Sequence, residues 1–165
     1  MDLLEVIKGR RSIRRYEDKD VPIELINKII EAGIWAPSSN HCEPCEFIVI
    51  REKETREQLS EISPWSEFIA DAPVAICVLS NKSSSCVIMD GSIAVMNMLL
   101  EIHSLGLGSC WVDTKYNEKM VRDVLKIPDN YEVITVIPVG YPAESPTSWR
   151  KSIKDCTYQE RYGNR

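Results

Sequence analysis

Between Lys8 and Tyr16 the chain carries five cations, Lys8, Arg10, Arg11, Arg14 and Arg15, and no acid, although its formal net charge is −5. Positive charge concentrated in an acidic chain calls for an anionic partner. In an extended segment alternate side chains share a side, which groups Arg10, Ser12 and Arg14 over roughly 13 Å, at about 3.3 Å per residue. That reach suits an elongated ligand with a phosphate at one end and an electron-poor ring at the other. Guanidinium forks match phosphate oxygens bidentately, and a serine hydroxyl adds a donor. On spacing alone, a solvated arginine run is the plain alternative.

Other chemistries lack their residues. His41 and His103 lie far apart and show no metal-ligand spacing, and His103, within a helical pattern, reads as structural. There is no G-x-S-x-G elbow and no P-loop lysine. Gly106-Leu107-Gly108 follows a helical pattern and precedes a strand pattern, the reverse of the dinucleotide-binding order. Cys42-Glu43-Pro44-Cys45 has C-x-x-C spacing, but no second pair completes a zinc site. A thioredoxin-like pair would follow a strand, whereas this one precedes a strand; thiol-redox use of Cys42 and Cys45 stays open as an alternative. No metal is expected, and no side chain stands out as catalytic acid, base or nucleophile. Such a chain can still be an enzyme if a cofactor carries the chemistry.

The elements that must position these residues fit one domain spanning 1–165, long enough for a substantial core. A hydrophobic content of 44% with 27% charged residues is ordinary for a globular chain. No apolar run reaches membrane-span length, and Met1-Asp2-Leu3-Leu4-Glu5 lacks the features of a signal peptide, so a cytoplasmic protein without membrane contact is expected. A pI near 5.2 argues against nucleic acid as a partner. The six cysteines need no disulfide framework, and Cys77 and Cys110, in apolar runs, read as buried thiols.

Apolar spacing predicts a helix over 2–9 and a second from Pro22 to near Trp35. A polar loop over 37–45 leads to a strand over 47–50, then a charged helix over 52–62 and a short helix over 65–70. A strand over 74–79 and a loop over 81–85 precede a long helix over 87–105, apolar around much of its circumference. Strands over 109–112 and 133–137 flank a helix of about ten residues before Pro128, and 141–165 should form an arm on a surface. Helices first, then strands interleaved with helices, imply an α+β or mixed α/β layer around a central sheet.

Four motifs occur in a recognisable order: Arg10-Arg11-Ser12-Ile13-Arg14-Arg15-Tyr16, Ala36-Pro37-Ser38-Ser39, Gly106-Leu107-Gly108-Ser109-Cys110-Trp111, and Val139-Gly140-Tyr141-Pro142 leading to Arg150. Together, along essentially the whole chain, they resemble the nitroreductase family. The resemblance implies an α+β fold of three α/β/α layers with a mainly antiparallel sheet, forming a homodimer with FMN at the subunit interface. It implies that Arg10, Arg11, Ser12 and Arg150 grip the FMN phosphate. Arg14 would lie near the N1–C2=O edge, where positive charge stabilises an anionic reduced ring. Pro37, Ser38, Ser39 and His41 would line the flavin across the interface, and Ser109, Cys110 and Trp111 would face the ring. The implied activity takes hydride from NADH or NADPH and reduces a nitroaromatic, quinone or related small acceptor. His41, Glu43 and Cys45 stand where similar proteins usually have Asn, Gln and Trp. A carboxylate near the flavin would oppose reduction to an anion unless it is paired.

Overall fold

In the computed structural model, which describes residues 2–164, two long strands organise the chain. Met1 and Arg165, the ends of the expected domain, lie outside the described residues. Strand β1 (Cys45–Ile50) pairs with β2 (Val74–Asn81), β2 pairs with β4 (Tyr131–Gly140), and β4 pairs with β3 (Gly108–Ser109), all antiparallel, in the order β1-β2-β4-β3. This settles the choice left open by the element order in favour of α+β.

Side chains alternate across a strand, so β2 supplies both faces. Val74, Ile76 and Val78 join one buried cluster, while Ala75, Cys77 and Leu79 join another. Along β4 the phase flips: Val133 and Val136 share one face, Ile134, Ile137 and Val139 the other. The cause is a bulge. The register moves from Val78↔Thr135 to Leu79↔Val133, leaving Ile134 as the extra residue.

One face is covered by α2 (Ile23–Ile34) and α5 (Val87–Ser104), which pack on each other and bury Ile26, Ile29, Val95, Met98 and Ile102. The other is covered by α3 (Lys53–Leu59), α4 (Phe68–Asp71) and α6 (Glu118–Leu125), burying Leu59, Ile69 and Val121. Each fully buried aliphatic side chain contributes about 1.5–3 kcal/mol, so this three-layer packing rather than any single tie holds the sheet. Helix α1 (Leu3–Gly9) rests against α5 and is closed by a capping box between Asp2 and Glu5. Helix α5 buries Ala94, Val95, Met98 and Leu99 yet leaves Ile88, Met89, Ile93 and Met96 exposed, and Leu3, Leu4, Ile7, Ile34 and Trp35 are exposed as well.

Three sequence expectations need correction. The helix over 52–62 is α3 followed by a 3-10 turn over Ser60–Ile62. The strand over 109–112 pairs continuously only at Gly108–Ser109, then bridges once more at Val112↔Val136. The same register sets Cys110 opposite Pro138, which has no amide hydrogen to offer. The arm over 141–165 contains the four-residue helix α7 (Ile153–Cys156), and Trp149, Ile153 and Tyr162 stand exposed.

Candidate functional site

The arginine segment begins where α1 stops: the Arg10 amide donates to the Val6 carbonyl (3.0 Å) and the chain leaves the helix. It then runs beside β3. Ser12 bridges Ser109 in parallel, and the Ile13 amide donates to the Ser109 carbonyl at 2.9 Å. Gly108 permits this approach, since a Cβ there would lie 2.8 Å from Ile13 Cγ1. Tyr16 closes the segment by bridging Pro142 and donating its hydroxyl to the Ile13 carbonyl at 2.7 Å.

Because pairing occurs at isolated bridges, strict alternation does not hold. Arg10 and Arg11 both line a cavity of about 150 Å³, together with Gly9, His103, Ser109 and Glu144. Ser12 lies off that wall, its hydroxyl hydrogen-bonded to the Cys110 thiol. The Arg11 guanidinium is fixed by the carbonyls of Lys8 (2.6 Å) and Arg10 (2.7 Å). Arg10 differs: its Nε is buried with no hydrogen-bond partner among the described residues. An unmet buried donor costs about 1–3 kcal/mol, which an anionic ligand oxygen would recover. His103, expected to be structural, forms part of this wall, and burial, then Arg10 and Arg11, hold its imidazole below the usual histidine range. Glu144 sits on the same wall, with Oε1 accepting the Arg14 (2.5 Å) and Arg15 (3.2 Å) amides.

A second cavity, of about 240 Å³, is lined by Arg14, Trp65, Phe68, Cys110, Trp111 and Tyr116 among others. The Arg14 guanidinium carbon lies 5.7 Å from the Phe68 ring centroid. Trp65 and Tyr116 meet edge to face with centroids 5.7 Å apart. Burial pushes the Cys110 thiol up, opposed by Arg14 and the Ser12 hydrogen bond. The floor is anchored from β4: the buried Thr135 hydroxyl donates to the Val112 carbonyl at 2.8 Å and accepts the Val112 amide at 3.2 Å.

The loop after α2 is held by a buried carboxylate. Asp90 accepts the Ser39 amide at 3.0 Å and the Ser84 hydroxyl at 2.6 Å. Ser38 Oγ accepts the Glu43 amide at 3.0 Å. Asn40, His41 and Glu43 adopt left-handed φ of 51°, 54° and 45°, an uncommon run for residues other than glycine. His41 and Glu43 are both exposed, with Nε2 and Oε1 3.1 Å apart. The carboxylate that departs from the family pattern is therefore paired with the histidine that also departs from it. Pro37, Ser38, Cys45 and Asp90 line a third cavity of about 260 Å³. Burial, then Asp90 and Cys42, push the Cys45 thiol up to about 11, opposite to what a nucleophilic thiol needs.

Within one chain, then, Arg10, Arg11 and Ser109 gather on one cavity and Arg14, Cys110 and Trp111 on the next. Pro37, Ser38, Ser39 and His41 belong to the separate loop, and Arg150 lines none of these cavities. Arg150 donates from Nη1 to the Ser148 hydroxyl and to the Trp149 carbonyl (2.7 Å) on the exposed arm. Trp65, Phe68, Tyr116, Glu144 and Asp90 escaped the sequence reading because no motif marks them. For Asp90 the one available signal was an acid among the apolar residues of the first turn of α5. Among the described residues, no group of three or more His, Cys, Asp or Glu could hold a metal ion. Nor is any described helix long and apolar enough to cross a membrane.

The model of the nitroreductase family matches residues 7–66 and 63–141. A protein of Methanothermobacter thermautotrophicus, provisionally named NADH dehydrogenase/NAD(P)H nitroreductase, is 44% identical over 153 residues, covering 88% of this chain and 80% of its own. An FMN-dependent nitroreductase from Clostridium difficile R20291 superposes with a TM-score of 0.90 at 33% identity, covering 96% of this chain and 99% of that one. A structure from Desulfovibrio desulfuricans, provisionally named a nitroreductase and in complex with FMN, has a TM-score of 0.89 at 30% identity and covers 98% of each chain. With the arginine segment, the β3 strand and the α2 loop in place on this fold, the chain belongs to the nitroreductase family.

Proposed function

We propose that the protein is an FMN-dependent oxidoreductase that takes hydride from NADH or NADPH and reduces a nitroaromatic, a quinone or a related small acceptor. The observation that carries the reading is the buried, unpartnered Arg10 Nε beside Arg11 and Ser109 on one cavity, with a second cavity walled by Arg14 and aromatic rings. A phosphate fits the first and a flat, electron-poor ring the second. FMN-bound and FMN-dependent relatives on the same fold support the choice of ligand. When bound, FMN supplies two-electron hydride chemistry; the protein supplies orientation and electrostatics.

Arg10 and Arg11 bind the phosphate, and Ser12 and Arg150 complete its ligand set; for Ser12 that role requires its hydroxyl to leave the Cys110 thiol and turn toward the cavity. For Arg150 that role requires it to exchange its contacts with Ser148 and Trp149 for the phosphate. Arg14 places positive charge at the ring, where it favours electron uptake. The backbone from Ser109 to Trp111 forms the wall against which the ring lies. A homodimer completes the site. The exposed apolar side chains of α1, the end of α2 and α5 form the face that a second copy covers, and the Pro37–Ser39 loop with His41 reaches the partner's flavin. His41 tunes acceptor kinetics or potential without serving as an essential base, so His41→Asn keeps FMN bound and changes those properties modestly.

The test is reconstitution. The apoprotein mixed with FMN should retain one FMN per chain after gel filtration and sediment as a dimer. A protein that stays colourless and monomeric would contradict the proposal and leave a non-flavin phosphate-binding role.

A further inference from the structure

We propose that His103 is a further ligand of the phosphate group, donating a ring N–H to it from the lining of the cavity that it shares with Arg10 and Arg11. The inference rests on the FMN reading for the identity of the ligand, but its geometry is independent of the flavin ring. His103 stands in the last turn of α5, next to its final residue Ser104, and lines the 150 Å³ cavity with Arg10, Arg11, Ser109 and Glu144. Its Nε2 occupies the space above Gly9: a Cβ added there would lie 2.4 Å from that nitrogen. The chain therefore carries glycine at the point where α1 hands over to the arginine segment, and the imidazole fills the room so created. Among the described residues neither ring nitrogen has a hydrogen-bond partner, just as Arg10 Nε has none. A buried donor without a partner on Arg10 and a partly buried imidazole free of protein partners, both on the lining of one small cavity, are complementary to an oxyanion with several acceptor oxygens, and a phosphomonoester is of that class.

The charged groups facing the imidazole explain why it can serve as a responsive donor. Arg10 and Arg11, from the segment after α1, disfavour its protonation, and burial acts in the same direction and more strongly. Glu144, from the segment after β4, is the acid on that wall, and its Oε1 is already engaged by two backbone amides. A dianion arriving between the arginines and the imidazole reverses the local field. Phosphate binding should therefore draw a proton onto His103, which a residue with a purely packing role would not do.

The experiment compares FMN with riboflavin, which carries the same ring without the phosphate, on wild type, His103→Ala and His103→Gln. Removing the donor should weaken FMN binding about tenfold. It should leave riboflavin binding unchanged, and the glutamine amide should restore part of the loss. Equal losses for both ligands, or no loss of FMN binding, would overturn the assignment. A second measurement uses wild type alone and so survives a variant that fails to fold. In the apoprotein the His103 ring C–H resonance should shift on adding inorganic phosphate, and its titration midpoint should rise. An unmoved resonance while phosphate binds would also overturn it. Failure of the FMN reading shows differently, as a His103 response to inorganic phosphate in a protein that binds no flavin.

Discussion

Arg10 and Arg150 are both proposed phosphate ligands, yet the structure treats them unequally, and that inequality can be measured. Arg10 Nε is already desolvated and unpartnered in the cavity, so most of the cost of presenting it is met on folding. A charge-assisted hydrogen bond formed there contributes about 1.5–3 kcal/mol. At about 1.4 kcal/mol per tenfold, Arg10→Ala should weaken FMN binding about 12- to 140-fold. Arg150 is exposed and tied to Ser148 and Trp149, so it must release those contacts and be ordered against solvent screening. An exposed pair of that kind contributes about 0.2–1 kcal/mol, which is no more than about a fivefold loss for Arg150→Ala. Quenching of FMN fluorescence on titration with apoprotein gives both constants, and circular dichroism checks that each variant folds. An Arg150→Ala loss equal to or larger than that of Arg10→Ala would refute the reasoning that prior burial, not charge alone, sets the contribution.

Thr135→Val keeps shape but orphans the Val112 carbonyl, so stability should fall by about 1–3 kcal/mol, or about 2–12 °C in Tm; an unchanged Tm would mean that Val112 is held by other contacts. His103 lies below its ordinary pKa of 6.5, through burial first and then Arg10 and Arg11. Below 6.5 the unfolded chain therefore holds a proton that the folded apoprotein refuses. Apoprotein stability should fall as pH drops through the window below 6.5, and His103→Gln should flatten that fall in urea titrations; an identical slope in the variant would contradict the shift. Iodoacetamide at pH 7.5 should label exposed Cys42 and Cys156 well before Cys45 and Cys77, whose thiols burial pushes up to about 11 and about 12. Peptide mass spectrometry showing Cys45 labelled first would revive a thiol-redox role.

What the sequence made legible was whatever depends on local pattern. The apolar spacing of Ile26 and Ile29 marked α2, the run from Val74 to Leu79 marked a buried strand, and the run without acids from Lys8 to Tyr16 marked the candidate binding segment. Features set by a residue's partner across space were not legible. The early end of β3 depends on Pro138 standing opposite Cys110, and the phase flip in β4 depends on a bulge at Ile134. His103 looked like one more helical residue until α1 brought Gly9 and the arginines against it. The aromatic wall is assembled from Trp65, Phe68, Trp111 and Tyr116, separate in the chain and joined only by the fold. Whether Glu43 has a partner was not legible either: its carboxylate lies 3.1 Å from the His41 ring, with left-handed backbone at both residues.

The proposed role of the cationic cavity and the aromatic-walled cavity is to hold FMN as a working hydride acceptor. Anaerobic titration of the FMN-reconstituted protein with NADH and with NADPH tests it most directly. At least one donor should bleach the flavin absorbance near 450 nm, an order-of-magnitude position common to bound flavins, with one equivalent of donor consumed per FMN. A nitroaromatic or quinone added afterwards should restore the colour. Bound FMN that neither donor reduces would contradict the claim.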